Sequence, residues 1–189
     1  MTSWHGSEMA QPSIPAGRLV LRPFRADDID WVHRVSLEPA VQHFLGLPSP
    51  YRREHAEFFV LQMCVAGWET RERAEFVIED AGTGERLGRA GLALTPIGVG
   101  QIGYWMAAEA RGRGVATDAA KVLCRWAFDE LRLEVVEWRA EVGNHPSRRV
   151  AEKAGFQVEG TLRRRLLHRG ALVDAWVGSL LNEEAPRSS

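Results

Sequence analysis

The chain has 189 residues, 45% of them hydrophobic and 26% charged, with a formal net charge of −1. That length suits one domain with a core of ordinary size, and the near-neutral charge gives no reason to expect nucleic acid or an anionic membrane surface as a partner. No apolar run approaches the roughly 20 residues of a membrane span.

The two cysteines, Cys64 and Cys124, have neither a CxxC partner nor metal-ligand spacing. Both lie in apolar helical patterns, which predicts buried free thiols, no bound metal and a reducing, cytoplasmic setting. The opening MTSWHGSEMAQPSIP has no charged segment followed by an apolar one, so it does not read as a secretion signal. Residues 1–16 and 183–189 read as loose tails of a single domain covering 1–189.

RLVLRPF (18–24) alternates and predicts a strand ended by Pro23. ADDIDWVHRVSLEP (26–39) predicts a short helix with Asp27 as N-cap and Pro39 as its stop. SPYRREHAEFFVLQMCVAG (49–67) predicts a longer one, capped by Ser49, with Pro50 in its first turn and Gly67 at its end. AEFVIED (74–80) and RLGRAGLALT (86–95), joined by AGTGE, predict a hairpin.

QIGYWMA (101–107) is the next strand. After it, Val115, Ala119, Val122, Leu123, Trp126 and Ala127 fall on one helical stripe, leaving Asp118, Lys121 and Arg125 outside. VVEWRAEV (135–142) alternates as a strand, and NHPSRRVAEKAG (144–155) is a helix with Pro146 early and Gly155 as its stop. FQVEGTL (156–162) and LVDAWVGSLL (172–181) are the last strands. This order predicts an α/β protein with a single mixed sheet of about seven strands and helices on both faces.

Between strand and helix stands Arg111-Gly112-Arg113-Gly114-Val115-Ala116. Glycines admit close backbone approach, a helix start presents partially positive N–H groups, and arginine adds charge, so the residue types point to an anion. A P-loop needs Lys-Ser/Thr after the glycine, and here Val115-Ala116 follows Gly114. A dinucleotide fingerprint fails at Thr117, where the third glycine would stand.

The run instead matches Q/R-x-x-G-x-G/A, and Gln101–Glu130 resembles the coenzyme-A-binding core of the GNAT N-acetyltransferase superfamily. GNHPSRRVAEKAGF resembles that family's pantetheine-contacting helix, and RLVLRPFRADDID resembles its branch of ribosomal-protein N-terminal acetyltransferases. The likeness covers about residues 16–182. It implies a mostly antiparallel sheet with a splay between two central strands, where coenzyme A binds. It also implies acetyl-CoA as acyl donor, an amine acceptor as second partner, and a homodimer in some relatives.

The resemblance implies site residues too. Main-chain N–H groups of Gly112, Arg113, Gly114, Val115 and Ala116 would ring the pyrophosphate, and Arg111 would either join them or turn away to hold the loop. Met106 would offer its backbone to pantetheine, and the Tyr104 amide would face the thioester oxygen. The Asn144 side chain would bond a pantetheine amide, and the Ser147 hydroxyl would donate to the departing thiolate. Helix capping is the plainer role for both, just as packing on the sheet is for the Tyr104 side chain.

Many relatives place an acidic tyrosine where this chain has Ala151, and a carboxylate where it has Gln101 or Leu166. Glu75, Glu79, Glu141 and His168 could serve as bases through water, but a solvated surface group is the plainer role for each, and none is assigned as the base. HFLGLPSPYRREH and RRRLLHRGALVD would rim the acceptor site, where Arg163, Arg164, Arg165 and Arg169 would suit an acidic acceptor or a succinyl group. A catalytically silent acyl-CoA sensor is the alternative from another functional class.

Overall fold

A computed structural model describes residues 10–185. Its strands are β1 (Ile14–Ala16), β2 (Leu19–Pro23), β3 (Arg73–Asp80), β4 (Arg86–Leu94), β5 (Val99–Met106), β6 (Val135–Glu141), β7 (Gln157–His168) and β8 (Ala171–Leu181). The helices are α1 (Ile29–Ser36), α2 (Pro39–Phe44), α3 (Arg53–Phe58), α4 (Cys64–Glu69), α5 (Val115–Asp129) and α6 (His145–Ala154). One eight-stranded sheet runs β1-β2-β3-β4-β5-β6-β8-β7. Every pairing is antiparallel except β5 with β6. Those two are parallel because α5 carries the chain back along the sheet between them.

Alternation along the strands sorts side chains into two cores. Phe76, Ile78, Leu92, Ile102, Val136 and Trp138 pack with Val115, Ala119, Leu123 and Trp126 of α5. Val77 faces the opposite way, toward Ile29, Val32 and Val35 of α1 and Ala56 of α3, with Trp105 against the same group. The expected α5 stripe is in place, and Cys64 and Cys124 are buried free thiols. Burial pushes the Cys124 thiol up to about 12, so it behaves as a small apolar group.

Several local expectations give way to tertiary demands. Ile14–Ala16, read as loose tail, pairs with β2 and buries Ile14; the rest of that reading, residues 1–9 and 186–189, lies outside the described residues. At the other end, Ala185 is buried and its carbonyl accepts from Arg125 at 2.7 Å. Pro39 opens α2 instead of merely stopping α1, as suits a residue with no N–H to place in a first turn. Ser49 and Pro50 precede the helix, which starts at Arg53, and Tyr51 is buried between them. That helix passes Gly67 through a π-helical turn (Phe59–Met63) and ends at Glu69. β7 runs past the expected strand end at Leu162 to His168, taking in Arg163, Arg164 and Arg165.

Asp27 is not the cap. Asp28 holds that position, with no side-chain capping bond to α1, and is the hub of a buried ion cluster. Its carboxylate accepts from the Arg25 N–H at 2.8 Å, from both Arg22 terminal nitrogens at 2.8 and 2.9 Å, and from Arg86 Nε at 2.6 Å. Arg22 Nε donates in turn to Glu79 at 2.5 Å. Burial alone would push the Asp28 carboxyl up, but the Arg22, Arg86 and Arg25 hydrogen bonds outweigh it and hold the group below its usual value.

Asp28→Asn should therefore cost about 3 kcal/mol in urea unfolding, because it removes the buried charge shared by Arg22 and Arg86 and leaves them only Glu79 and Asp27. A lowered folded pKa means that stability is present above about pH 4 and is lost as pH falls through the folded value. The variant should lose that part of the acid dependence, and an unchanged stability–pH curve would remove Asp28 from this role.

Candidate active site

The sheet opens between β5 and β6. Their ladder runs Val99–Val135, Gly100–Val136, Gln101–Glu137 and Ile102–Trp138, and then stops. Both strands continue, β5 to Met106 held by β4 and β6 to Glu141 held by β8. The result is a fork with an outer partner on each arm.

The register shows which groups face the gap. Opposed residues in an antiparallel ladder alternately exchange both hydrogen bonds or neither. The Ala107 N–H donates to the Leu87 carbonyl at 3.0 Å, just beyond the Met106–Gly88 and Tyr104–Ala90 rungs. Met106 and Tyr104 are therefore on the non-bonded rungs, with N–H and C=O turned from β4 into the fork. Arg111 closes one of these groups: its Nε and a terminal nitrogen donate to the Met106 carbonyl at 3.1 and 2.9 Å. Arg111 also pairs with Glu38, so its side chain ties the loop back to the end of β5.

That loop reaches α5 through Gly112 (φ +74°) and Gly114 (φ +77°). A Cβ at Gly112 would meet nothing within 4 Å, and at Gly114 only an Arg18 terminal nitrogen at 3.9 Å. Backbone conformation, not crowding, requires glycine here, and the space above stays open. Gly114 has no side chain to cap α5, whose first N–H groups have no partner within the helix. Arg18, to which no sequence signal points, braces the loop from the turn just ahead of β2. It donates to the Arg113 carbonyl at 2.9 Å and to Asp118 at 2.8 Å.

On the α5–α6 side of the fork, four residues meet. Asn144 caps α6, its side-chain oxygen accepting from the Ser147 N–H at 3.2 Å. The Ser147 hydroxyl accepts from Trp138 Nε1 at 3.0 Å and donates to the Tyr104 hydroxyl at 3.3 Å. Tyr104 donates to the Ser147 carbonyl at 2.9 Å. The Tyr104 side chain is thus more than packing, and burial pushes its phenol up to about 12 against the Ser147 and Trp138 hydrogen bonds.

The expected bases fare unevenly. Glu75 is fully buried and accepts from Arg89 Nε at 2.6 Å, while Glu79 is bound to Arg22. Both carboxylates are taken up by arginine, so neither stands free at the fork. His168 lies at the end of β7, with β8 between it and β6. Glu141 stands at the end of the β6 arm, and alternation puts it with Glu137 and Arg139 on the face away from α5. Glu137, missed from sequence, adjoins Gln101 at the fork and pairs with Arg139 at 2.9 Å. Arg163, Arg164, Arg165 and Arg169 are exposed, with Arg169 donating to the Gln42 carbonyl at 2.7 Å. Leu166 pairs across from Val173.

Comparison with known proteins points to one family. The family model described as an acetyltransferase (GNAT) domain matches residues 18–157. The chain belongs to the GNAT acetyltransferase family. Among GNAT relatives, it is 28% identical to the uncharacterized N-acetyltransferase p20 of Bacillus licheniformis over 88% of this chain and 94% of that one. It is 44% identical to YdaF of Bacillus subtilis (strain 168), whose name as a ribosomal N-acetyltransferase is provisional. That match spans 44% of this chain and 46% of YdaF, so the chain spans about half the length of that relative. Mycobacterium smegmatis RimJ, solved in complex with CoA-disulfide, superposes with a TM-score of 0.81 at 27% identity, covering 93% of this chain and 87% of RimJ. Among the described residues no helix is long and apolar enough to cross a membrane, and no three potential metal ligands cluster.

Proposed function

We propose that this protein is an acyl-CoA-dependent N-acyltransferase that moves an acetyl group from acetyl-CoA to the primary amine of a protein N-terminus or a small molecule. The observation that carries this reading is the fork, with its Tyr104 and Met106 N–H groups, beside a loop that leads open backbone into a helix start. A pantetheine arm has amides to pair with such strand groups, and a pyrophosphate suits the N–H groups from Gly112 to Ala116. The residues present therefore fit coenzyme A.

When bound, acetyl-CoA supplies an activated thioester. The chain's own residues do the rest. The Tyr104 N–H, fixed by the β4–β5 register, is placed to stabilise negative charge on the thioester oxygen. Ser147 faces the same space from α6 and would hydrogen-bond the departing sulfur. The acceptor would enter from the α1–α3 face, where Gln101, Glu137 and Glu141 border the fork. The buried free thiols support a cytoplasmic setting.

Gly114→Glu would set bulk and negative charge where the pyrophosphate lies. Calorimetry should show at least a hundredfold weaker coenzyme A binding, about 2.7 kcal/mol. Gly114→Ala, which carries the same backbone strain without the charge, should lose far less. Tight binding by folded Gly114→Glu would put coenzyme A elsewhere.

The acceptor follows from the proton inventory. At pH 7, deprotonating an α-amine of pKa near 7.7 costs about 1 kcal/mol, against roughly 4.6 for a lysine near 10.4. With Gln101 and Leu166 at two familiar base positions, and Glu75 and Glu79 held by arginine, α-amines or amines of depressed pKa are the preferred acceptors. Thiol release from acetyl-CoA, measured against two acceptors differing by a couple of pKa units, should give kcat/KM profiles that rise with each acceptor's own pKa. One shared acidic limb for both would reveal an enzyme-borne base, and its loss in Glu137→Gln or Glu141→Gln would name it.

A further inference from the structure

We infer that Tyr104, through its side chain, is a positioning residue for acyl transfer: with Trp138 it donates into the Ser147 oxygen and thereby strengthens the hydrogen bond that Ser147 gives to the departing sulfur. This rests on the proposed acyltransferase reading.

Three elements converge at the apex of the fork to make the arrangement. Tyr104 lies on β5 two residues past the last rung, Trp138 is the β6 member of that rung, and Ser147 stands in the first turn of α6. Trp138 is fully buried and its indole can only donate, so its 3.0 Å bond to Ser147 Oγ fixes the hydroxyl in place. The Asn144 bond to the Ser147 N–H holds the backbone beneath it. Only the hydroxyl proton is then free to turn.

In the structure the hydroxyl donates to the Tyr104 oxygen, 3.3 Å away, while Tyr104 donates to the Ser147 carbonyl. When a sulfur anion forms in the fork, the serine proton is drawn to it. The Ser147 oxygen is then open to accept from the phenol already beside it. The chain becomes Tyr104 O–H to Ser147 Oγ, and Ser147 O–H to sulfur, with Trp138 as a second donor into Oγ. Linked donors polarise one another, so Ser147 presents a stronger donor than an isolated alcohol.

No proton changes owner in this step. A thiol titrates near 8.5 and the Tyr104 phenol at about 12, so the phenol keeps its proton and the sulfur leaves as a hydrogen-bonded thiolate. The thiolate takes its proton from water on release, and water accepts the one lost by the amine. Tyr104 and Trp138 thus supply the support for which many relatives use a tyrosine at the place of Ala151.

The test combines a double-mutant cycle with a readout that needs no turnover. Tyr104→Phe, Ser147→Ala and their combination are assayed for kcat, and the thiol pKa of bound coenzyme A is titrated by thiolate absorbance. Tyr104→Phe should lower kcat about tenfold, the scale of one hydrogen bond. It should raise the bound thiol pKa by about one unit and leave the coenzyme A dissociation constant within threefold. Ser147→Ala should lower kcat ten- to a hundredfold, and adding Tyr104→Phe to it should cost nothing further. Trp138→Phe should shift both readouts in the same direction and serves if Tyr104→Phe fails to fold. Independent, multiplicative losses in the double variant would overturn the inference, as would a bound thiol pKa that Tyr104→Phe leaves unmoved. A wild-type protein that binds coenzyme A but acylates no amine would sink the proposed activity, while the thiol titration would still decide the role of Tyr104.

Discussion

After Ile102 and Trp138, β5 and β6 stop sharing hydrogen bonds, and much of the molecule is arranged around that separation. Two strands can part inside a sheet only if each keeps its outer neighbour, and here β4 holds one arm and β8 the other. The groups left facing the gap are costly unless something pairs with them, because an unmet buried donor or acceptor loses about 1–3 kcal/mol. Arg111 answers for the Met106 carbonyl, and the Tyr104 side chain reaches across to α6. What stays unanswered is a short row of main-chain groups suited to an amide-bearing arm.

The two faces of the fork are built differently. On the α5–α6 face, apolar packing brings the helix start, the glycine loop and Ser147 to the mouth of the gap. Arg18 adds a tether across 95 residues of sequence to the Arg113 carbonyl. On the opposite face, charged side chains lie under α1 and α3. Asp28 joins Arg22 and Arg86 there, and Glu75 joins Arg89. Gly91 makes room for the second pair, since a Cβ at that position would lie 2.1 Å from a Glu75 oxygen. Such pairs add rigidity and geometric definition more than net stability, as their desolvation offsets much of their attraction. They also withdraw carboxylates from chemistry, which leaves the acceptor side with few free bases.

Much of this was legible in the sequence wherever one short segment carried the whole signal. The α5 stripe, the Gly112–Gly114 handover, the Asn144 cap and the strands of the central sheet depend on local period and turn chemistry, and they stand where the pattern put them. The fork itself came from family resemblance, because no local pattern says that two strands part after four rungs. The misses share one cause, which is partners distant in the chain. Ile14 is polar-flanked and reads as tail until β2 pairs with it. Asp28 looks no different from Asp27 until Arg22 and Arg86 converge on it. Tyr104 reads as a sheet aromatic until the Ser147 carbonyl, 43 positions later, accepts its hydrogen bond. Glu75 and Glu79 look like available bases until the fold sets arginines against them.

The most direct test of the fork as the coenzyme A site is amide hydrogen exchange, read residue by residue, with and without coenzyme A. Tyr104 and Met106 should gain protection on binding, together with the N–H groups from Gly112 to Ala116. Gly103 and Trp105, already paired with β4, should change little. That every-second-residue pattern follows from the register alone. Protection that spread evenly along β5, or that left Tyr104 and Met106 unchanged while coenzyme A was bound, would contradict the account.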